Sequence, residues 1–306
     1  MNVLVIGGCG FIGSHVVDAL VARGHSVRVF DRHFERFRPP LQGVEYSIAN
    51  FADKMALAEA VAGIDTVLHL VSTTVPGTAN LSPATDVRDN LIGTIQLLDL
   101  MVDLKVRRLV FLSSGGTVYG VLGAESVRED HPLRPINSYG IVKAAIEHYL
   151  DMYRNLHGLD SLIVRASNPY GPRQTHLGVQ GVISTFLYRL REGVAMEIWG
   201  DGSIVRDYLH VDDLATFCAL AAESAVSGAF NVGSGEGTSL NEIIEILRTV
   251  TGLDVSARYK PGRPVDVPRS VLDITKATTH FDWRPRIALE QGVAQTWAWL
   301  RSTAGD

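Results

Sequence analysis

Tyr139 and Lys143 are the residues in this sequence best suited to moving a proton. They lie four positions apart in a stretch, 138–156, whose apolar residues recur at helical intervals. A spacing of four puts both side chains on one face of a helix. A tyrosine titrates at about 10 when unperturbed. A neighbouring ammonium favours the phenolate and lowers that value, so the pair could exchange a proton with an alcohol near neutral pH. Ser114 closes an apolar run at 108–112 and could donate a hydrogen bond to the same oxygen. Thr117, three residues on, is a second candidate hydroxyl. By itself Y-x-x-x-K is a common pattern, so its meaning depends on the elements around it.

Those elements begin at the N-terminus. The run Val3–Ile6 is apolar throughout, as in a strand buried on both faces of a parallel sheet. Gly7, Gly10 and Gly13 follow as G-x-x-G-x-x-G, with Phe11 and Ile12 between the last two, and 14–23 then reads as a helix. Strand, glycine turn and helix together form a dinucleotide-binding arrangement. The glycines allow a tight turn and close approach of backbone to pyrophosphate, and the helix N-terminus offers N–H groups to the anion.

A second strand, 26–30, ends at Asp31. An acid there accepts hydrogen bonds from the adenosine ribose and repels a 2′-phosphate, which favours NAD over NADP. Arg32, Arg36 and Arg38 stand close by, and an arginine in this loop could instead hold a 2′-phosphate. A third strand, 44–48, leads to Asn50, Phe51 and Asp53. There a polar side chain can reach the adenine and an apolar one can flank it. A short helix is expected at 56–62. A fourth strand, 66–71, brings Leu70 and Val71 to the sheet end that faces the cofactor. A long helix is expected over 86–104, with Asn90 near its start, then a fifth strand and the helix of Tyr139 and Lys143. An oxidised nicotinamide would add positive charge beside Tyr139, and Lys143 could also hold its ribose. The expected fold is α/β: a Rossmann-type doubly wound parallel sheet with a smaller mixed α/β C-terminal domain.

The remaining chemistry is mostly exclusion. The chain has 306 residues, a net charge of −5 and no long basic run, which argues against a nucleic-acid partner. No stretch approaches the ~18 apolar residues of a membrane span, and the N-terminus reads as a strand with no signal-peptide pattern. Cys9 and Cys218 have no metal spacing with histidine and read as reduced, buried thiols of a cytoplasmic protein, with no metal site.

The motifs resemble the extended short-chain dehydrogenases/reductases, and most of all the nucleotide-sugar epimerases of the UDP-galactose (UDP-glucose) 4-epimerase type. The matching stretches are GGCGFIG at 7–13, Asp31, DVRDNLIGT at 86–94, SSGGTVYG at 113–120, YGIVK at 139–143, NPYGPRQ at 168–174, WGDGSIVRDYLHVDD at 199–213, NVGSGEG at 231–237 and PGRPVD at 261–266. The resemblance implies an NAD domain over 1–166, with 204–232 packing back beside it, and a nucleotide-sugar-binding domain over 167–306. It implies that Asn168 contacts the substrate phosphate or its backbone, that Arg206 and Arg263 grip the diphosphate, and that Asp266 binds a nucleoside ribose. Guanidinium suits a phosphate because it binds the oxygens bidentately. It also implies that Ser270 lines the pocket beside the sugar C2 substituent, where a small residue leaves room for an N-acetyl group. Relatives commonly dimerise through the helices matching 86–104 and 138–156. The second of these carries apolar residues on more than one face: Ile141, Ala145, Tyr149, Met152 and Tyr153.

Two departures from the family pattern matter. The catalytic hydroxyl of well-known relatives falls on Gly115 here, leaving Ser114 as the expected hydroxyl and Thr117 as the second candidate. The adjacent Asp and Glu of related 4,6-dehydratases are replaced by Gly116 and Thr117, which removes the acid and base that reaction needs. The expected activity is NAD-dependent inversion at C4 of a nucleotide-activated hexose, of the UDP-glucose/UDP-galactose type or a UDP-N-acetylhexosamine. The alternatives are an NAD(P)H-dependent reductase of a nucleotide-linked 4-keto-6-deoxy sugar, an epimerase of a dTDP-6-deoxyhexose, and a sensory NAD-binding protein without turnover. Whether the base is uracil or thymine stays open.

Overall fold

The computed structural model describes residues 1–123, 125–175, 181–262 and 267–303. In the first half, strands alternate with helices: β1 (Asn2–Ile6), α1 (Phe11–Ala22), β2 (Ser26–Asp31), β3 (Glu45–Ile48), α2 (Lys54–Val61), β4 (Thr66–His69), the one-turn α3 (Pro76–Ala79) and α4 (Pro83–Asp86), α5 (Gly93–Asp103), β5 (Arg108–Ser114), α6 (Ser138–His157) and β6 (Asp160–Ala166). The second half is less regular: β7 (Asn168–Tyr170), α7 (Val182–Arg191), β8 (Met196–Trp199), β9 (Val205–Arg206), β10 (Tyr208–His210), α8 (Val211–Glu223), β11 (Gly228–Val232), β12 (Thr238–Ser239), α9 (Leu240–Thr251), β13 (Ala257–Lys260), β14 (Arg269–Ser270), α10 (Thr275–Phe281) and α11 (Leu289–Ser302).

The main sheet has seven strands in the order β11-β6-β5-β4-β1-β2-β3. Every pairing in it is parallel. This is the doubly wound sheet the apolar runs predict, and its order reverses between β1 and β4, where such sheets take their ligands. Both faces are covered. Val16, Val17 and Leu20 of α1 meet Leu214, Phe217 and Cys218 of α8 on one side. Leu97, Leu98 and Met101 of α5 meet Val142, Ile146 and Leu150 of α6 on the other. Strand β11 comes from the second half of the chain, and so do Ala277 and Trp283, which pack in the same core as α8. A separate core around Ile183, Phe186, Leu187, Ile198, Ile243 and Leu247 holds the smaller lobe. Its sheets are short: β10-β7, β12-β9-β14 and β13-β8.

The expected long helix is broken. The long helix over 86–104 is α4, a π-helical turn at Val87–Ile92 and then α5. Thr94 Oγ1 donates to the Asn90 carbonyl at 2.6 Å inside this bulge, which re-aims the side chains of the turn. The stretch around 204–210 is likewise divided, into β9 and β10, at Asp207. The carboxylate of this fully buried residue accepts from the backbone N–H groups of Ser234 (2.7 Å) and Leu272 (3.3 Å), a pull that a regular strand would not allow. Elsewhere the ends shift. Asp53, read as a possible adenine contact, caps α2 by accepting from Met55 N and Ala56 N, so that helix starts at Lys54. Leu70 and Val71 lie just past the end of β4.

Candidate active site

The glycine turn needs its glycines. Gly7 has φ +87°. A Cβ on Gly13 would run into the Gly7 carbonyl oxygen, so α1 could not close on the turn with any larger residue there. The N-cap of α1 is Gly10, which has no side chain to satisfy the first N–H groups. Those groups open onto a cleft of about 890 Å³ lined by Gly7, Gly10, Phe11, Ile12 and Gly13, by Asp31 and Arg32, by Asn50 and Phe51, by Leu70 and Val71, and by Tyr139 and Lys143. The Asp31 carboxylate is oriented by Cys9 N (3.0 Å to Oδ2) and Arg32 N (2.7 Å to Oδ1). Arg38 is engaged elsewhere, with Asp18 at 2.5 Å and Glu35 at 2.9 Å. Both cysteines are buried and free, and burial pushes each thiol up to about 12.

Asn90 does not line this cleft. Its Oδ1 accepts from Thr73 N (2.9 Å), and its Nδ2 donates to Asp86 Oδ1 (2.8 Å) and to the hydroxyls of Thr73 and Thr74. The π turn rotates it onto the loop after β4, so it shapes a cleft wall from behind.

Helix α6 is capped by Asn137, whose Oδ1 accepts from Gly140 N at 2.8 Å. On its first turns, Lys143 Nζ donates to Leu112 O at 2.7 Å and lies 4.6 Å from the Phe111 ring centroid and 5.6 Å from that of Tyr139. Burial lowers the ammonium to about 8, and the charges of Glu147 and Asp86 oppose the fall. The Tyr139 phenol does not follow expectation. Burial pushes it well above 10, and the charge of Asp86 adds to the rise. Lys143 is turned to the β5 carbonyl, and the cost of burying a phenolate dominates.

Tyr139, Leu112, Phe11 and Ile12 also line a second cavity, of about 420 Å³, running into the smaller lobe. Ser114, Thr117, Asn168 and Arg206 are on its walls, with Gln174, Glu197, Trp199 and Tyr208. Asn168 is held by its Nδ2 donating to Asp207 O at 3.1 Å. Arg206 Nη1 donates to Val205 O at 2.8 Å. Thr117 Oγ1 donates to the Ser114 backbone carbonyl at 3.5 Å, so both candidate residues sit on one turn. A Cβ on Gly115 would lie 2.7 Å from Leu272 Cδ1 and 3.0 Å from Arg165 O, so no hydroxyl fits there without moving the buried Leu272. Ser270 departs from expectation: it is buried in β14, in register with Arg206 of β9, and is not among the residues lining the cavity. Arg263 and Asp266 lie outside the described residues.

Residues 3–233 match the NAD dependent epimerase/dehydratase family. The chain belongs to that family. It is 36% identical to the UDP-glucose 4-epimerase of Mycolicibacterium smegmatis over 99% of both chains. Its fold superposes on the UDP-glucose 4-epimerase of Thermotoga maritima, solved with UDP-glucose, with a TM-score of 0.94 at 36% identity over 99% of each chain. The Thermus thermophilus UDP-glucose 4-epimerase, solved with NAD, gives 0.93 at 35% identity over 99% of this chain and 100% of that one.

Beneath the face that this family member presents to the two cavities is a polar layer that sequence reading missed. Glu147, 3% exposed, pairs with Arg165 (2.6 Å) and accepts from Ser113 Oγ (2.5 Å). Asp86, fully buried, accepts from Ser138 Oγ (2.7 Å) and Thr74 Oγ1 (2.7 Å). A signal existed for Glu147: it continues the spacing of Tyr139 and Lys143 by a further four residues on the same helix. None existed for Arg165 or Asp86, whose partners are remote in sequence.

Proposed function

We propose that this protein is an NAD-dependent 4-epimerase of a nucleotide-activated hexose, of the UDP-glucose/UDP-galactose type. One observation carries the reading: Tyr139 lies where a cleft built on the glycine turn meets a second cavity lined by Asn168 and Arg206. A dinucleotide fits the first cleft, because the close Gly7–Gly13 approach and the uncapped α1 N-terminus suit a pyrophosphate and the oriented Asp31 suits a ribose diol. A nicotinamide dinucleotide held there by the glycine turn and Asp31 would supply a hydride acceptor and donor for C4 of the sugar.

The chain's own groups do the rest. Tyr139 removes the C4 hydroxyl proton as the hydride leaves and gives it back when the hydride returns to the other face of the turned keto-sugar. Its raised pKa makes it a proton donor at rest, and the positive charge of a bound oxidised nicotinamide pulls it toward the phenolate. Lys143 adds its own charge and has further N–H groups for the nicotinamide ribose. Ser114, with Thr117 as the alternative, donates to the C4 oxygen. Arg206 grips the diphosphate from the strand beside Asn168, with Arg263 and Asp266 as the partners the family pattern supplies. A dehydratase would need acid and base side chains where Gly116 and Thr117 stand. The carboxylate of Asp31 speaks against exchangeable NADPH, and so against a reductase.

The decisive experiment denatures freshly purified protein, assays the supernatant for NAD, and follows UDP-glucose and UDP-galactose interconversion without added cofactor. Retained NAD and interconversion are the expected result. Turnover that consumes added NADPH would replace this reading with the reductase.

A further inference from the structure

Three groups on one face of α6 are buried or half-buried in sequence: Tyr139, Lys143 and Glu147. The first two reach the cavities, and the third does not. Glu147 accepts hydrogen bonds that tie it to two strands: from Ser113 Oγ of β5 at 2.5 Å, and from Arg165 of β6 through Nε (3.3 Å to Oε1, 3.1 Å to Oε2) and Nη2 at 2.6 Å. Arg165 continues outward, its Nη1 donating to Tyr119 Oη (2.8 Å) and Glu129 O (3.0 Å), and Tyr119 in turn donates to Asn231 Oδ1 (2.6 Å) on β11. A buried ion pair is a costly way to add stability, since desolvation offsets most of its attraction. This one is fully partnered and stands under the end of β5. That end carries Ser114 and, through Leu112 O, holds Lys143 Nζ at 2.7 Å.

We propose that Glu147 is a positioning residue of the reaction: its carboxylate clamps the end of β5, and so Ser114 and the carbonyl that holds Lys143, while supplying a buried negative charge one helical turn from that lysine. The inference rests on the epimerase reading for its kinetic arm only. The other charges and rings facing Lys143 are Asp86 from the end of α4, His69 from β4, Phe111 from β5 and Tyr139 from its own helix. His69 is neutral, so Glu147 and Asp86 are what offset the burial of the ammonium.

The test compares wild type with Glu147→Gln, Glu147→Asp and Ser113→Ala. The titration of Lys143 is followed by NMR of its labelled side chain, and turnover is measured against pH. Glu147→Gln should lower the Lys143 titration by about one pH unit, with the alkaline limb of kcat moving the same way. Glu147→Asp should restore both, because it keeps the charge. A purely structural role would lower the melting temperature without moving either, and that result overturns the proposal. Ser113→Ala removes one arm of the clamp and leaves the charge. It should cut kcat about tenfold at unchanged KM and unchanged Lys143 titration, because misplacing a catalytic group costs turnover before binding. An unchanged kcat there also overturns the proposal, even if Glu147→Gln fails to fold. Absence of UDP-sugar interconversion in the wild type would instead refute the epimerase reading, and the Lys143 titration would still decide the charge arm.

Discussion

Tyr139 is held in conflict with its own chemistry. Burial of the phenol disfavours the phenolate, so the residue is a weak base until positive charge arrives beside it. Removal of its hydroxyl should therefore leave folding intact, since no protein group is hydrogen-bonded to it among the described contacts, and strike at turnover. Tyr139→Phe is expected to retain NAD and to lose roughly 10²–10⁴ in kcat, the range for a lost acid–base group. Turnover near the wild-type rate, measured with the same retained cofactor, would take Tyr139 out of the mechanism. The hydroxyl partner is constrained in a different way. Leu272 and the Arg165 carbonyl fill the space beside Gly115, so Ser114 and Thr117 are the hydroxyls that this loop can aim at the cavity.

At the scale of the element, α6 does two jobs with two faces. The inner face buries Val142, Ile146 and Leu150 against the sheet side of the core. The outer face carries Ile141, Ala145, Tyr149, Met152 and Leu156, an apolar stripe at helical spacing whose members Ile141 and Leu156 are 53% and 67% exposed. Tyr153, the remaining apolar residue of that set, belongs to the inner face. It is 4% exposed and donates its hydroxyl to Asp99 of α5, because it lies three residues from the buried Leu150 on the inner face. Ile92 stands exposed at the foot of α5. A contiguous apolar stripe on a helix already packed on its other side fits a second copy of the same helices. The protein is expected to run as a dimer in light scattering at micromolar concentration, and Ile141→Glu combined with Met152→Glu is expected to give a folded monomer. A wild-type monomer would remove the stripe as an interface.

At the scale of the whole molecule, each half buries a histidine that would titrate if exposed. His69 lies between Phe51 and Phe111 with Nε2 2.8 Å from Thr94 Oγ1, and burial lowers it to about 3. His210, at the start of α8, is lowered to about 4 by burial as well. Both are neutral in the folded chain and would protonate near 6.5 when unfolded. Their contribution is complete above about pH 6.5 and is lost as pH falls toward about 4 for His210 and about 3 for His69, by an amount on the order of a few kcal/mol each. The urea midpoint should therefore drop between pH 7 and pH 4.5. His69→Gln should show a smaller drop than wild type, and an equal drop would mean that His69 does not carry this linkage.

The sequence by itself determined the doubly wound sheet, the glycine turn and the pairing of Tyr139 with Lys143. Each is a local pattern: an apolar run, a glycine spacing of three, a helical spacing of four. What it could not determine depends on groups far apart in the chain. Asn90 is turned from the cleft by a π turn and a loop 17 residues away. Ser270 is drawn into a strand by β9, and Glu147 finds Ser113 and Arg165 only when β5 and β6 lie side by side. The phenol of Tyr139 illustrates the division most directly. Its neighbour at i+4 argued for a lowered pKa, but the folded chain points that lysine at a carbonyl and sets the phenol where burial raises it. Spacing along a helix decides which side chains share a face. Only the packed structure decides how much water they keep, and it is the loss of that water that sets their charge.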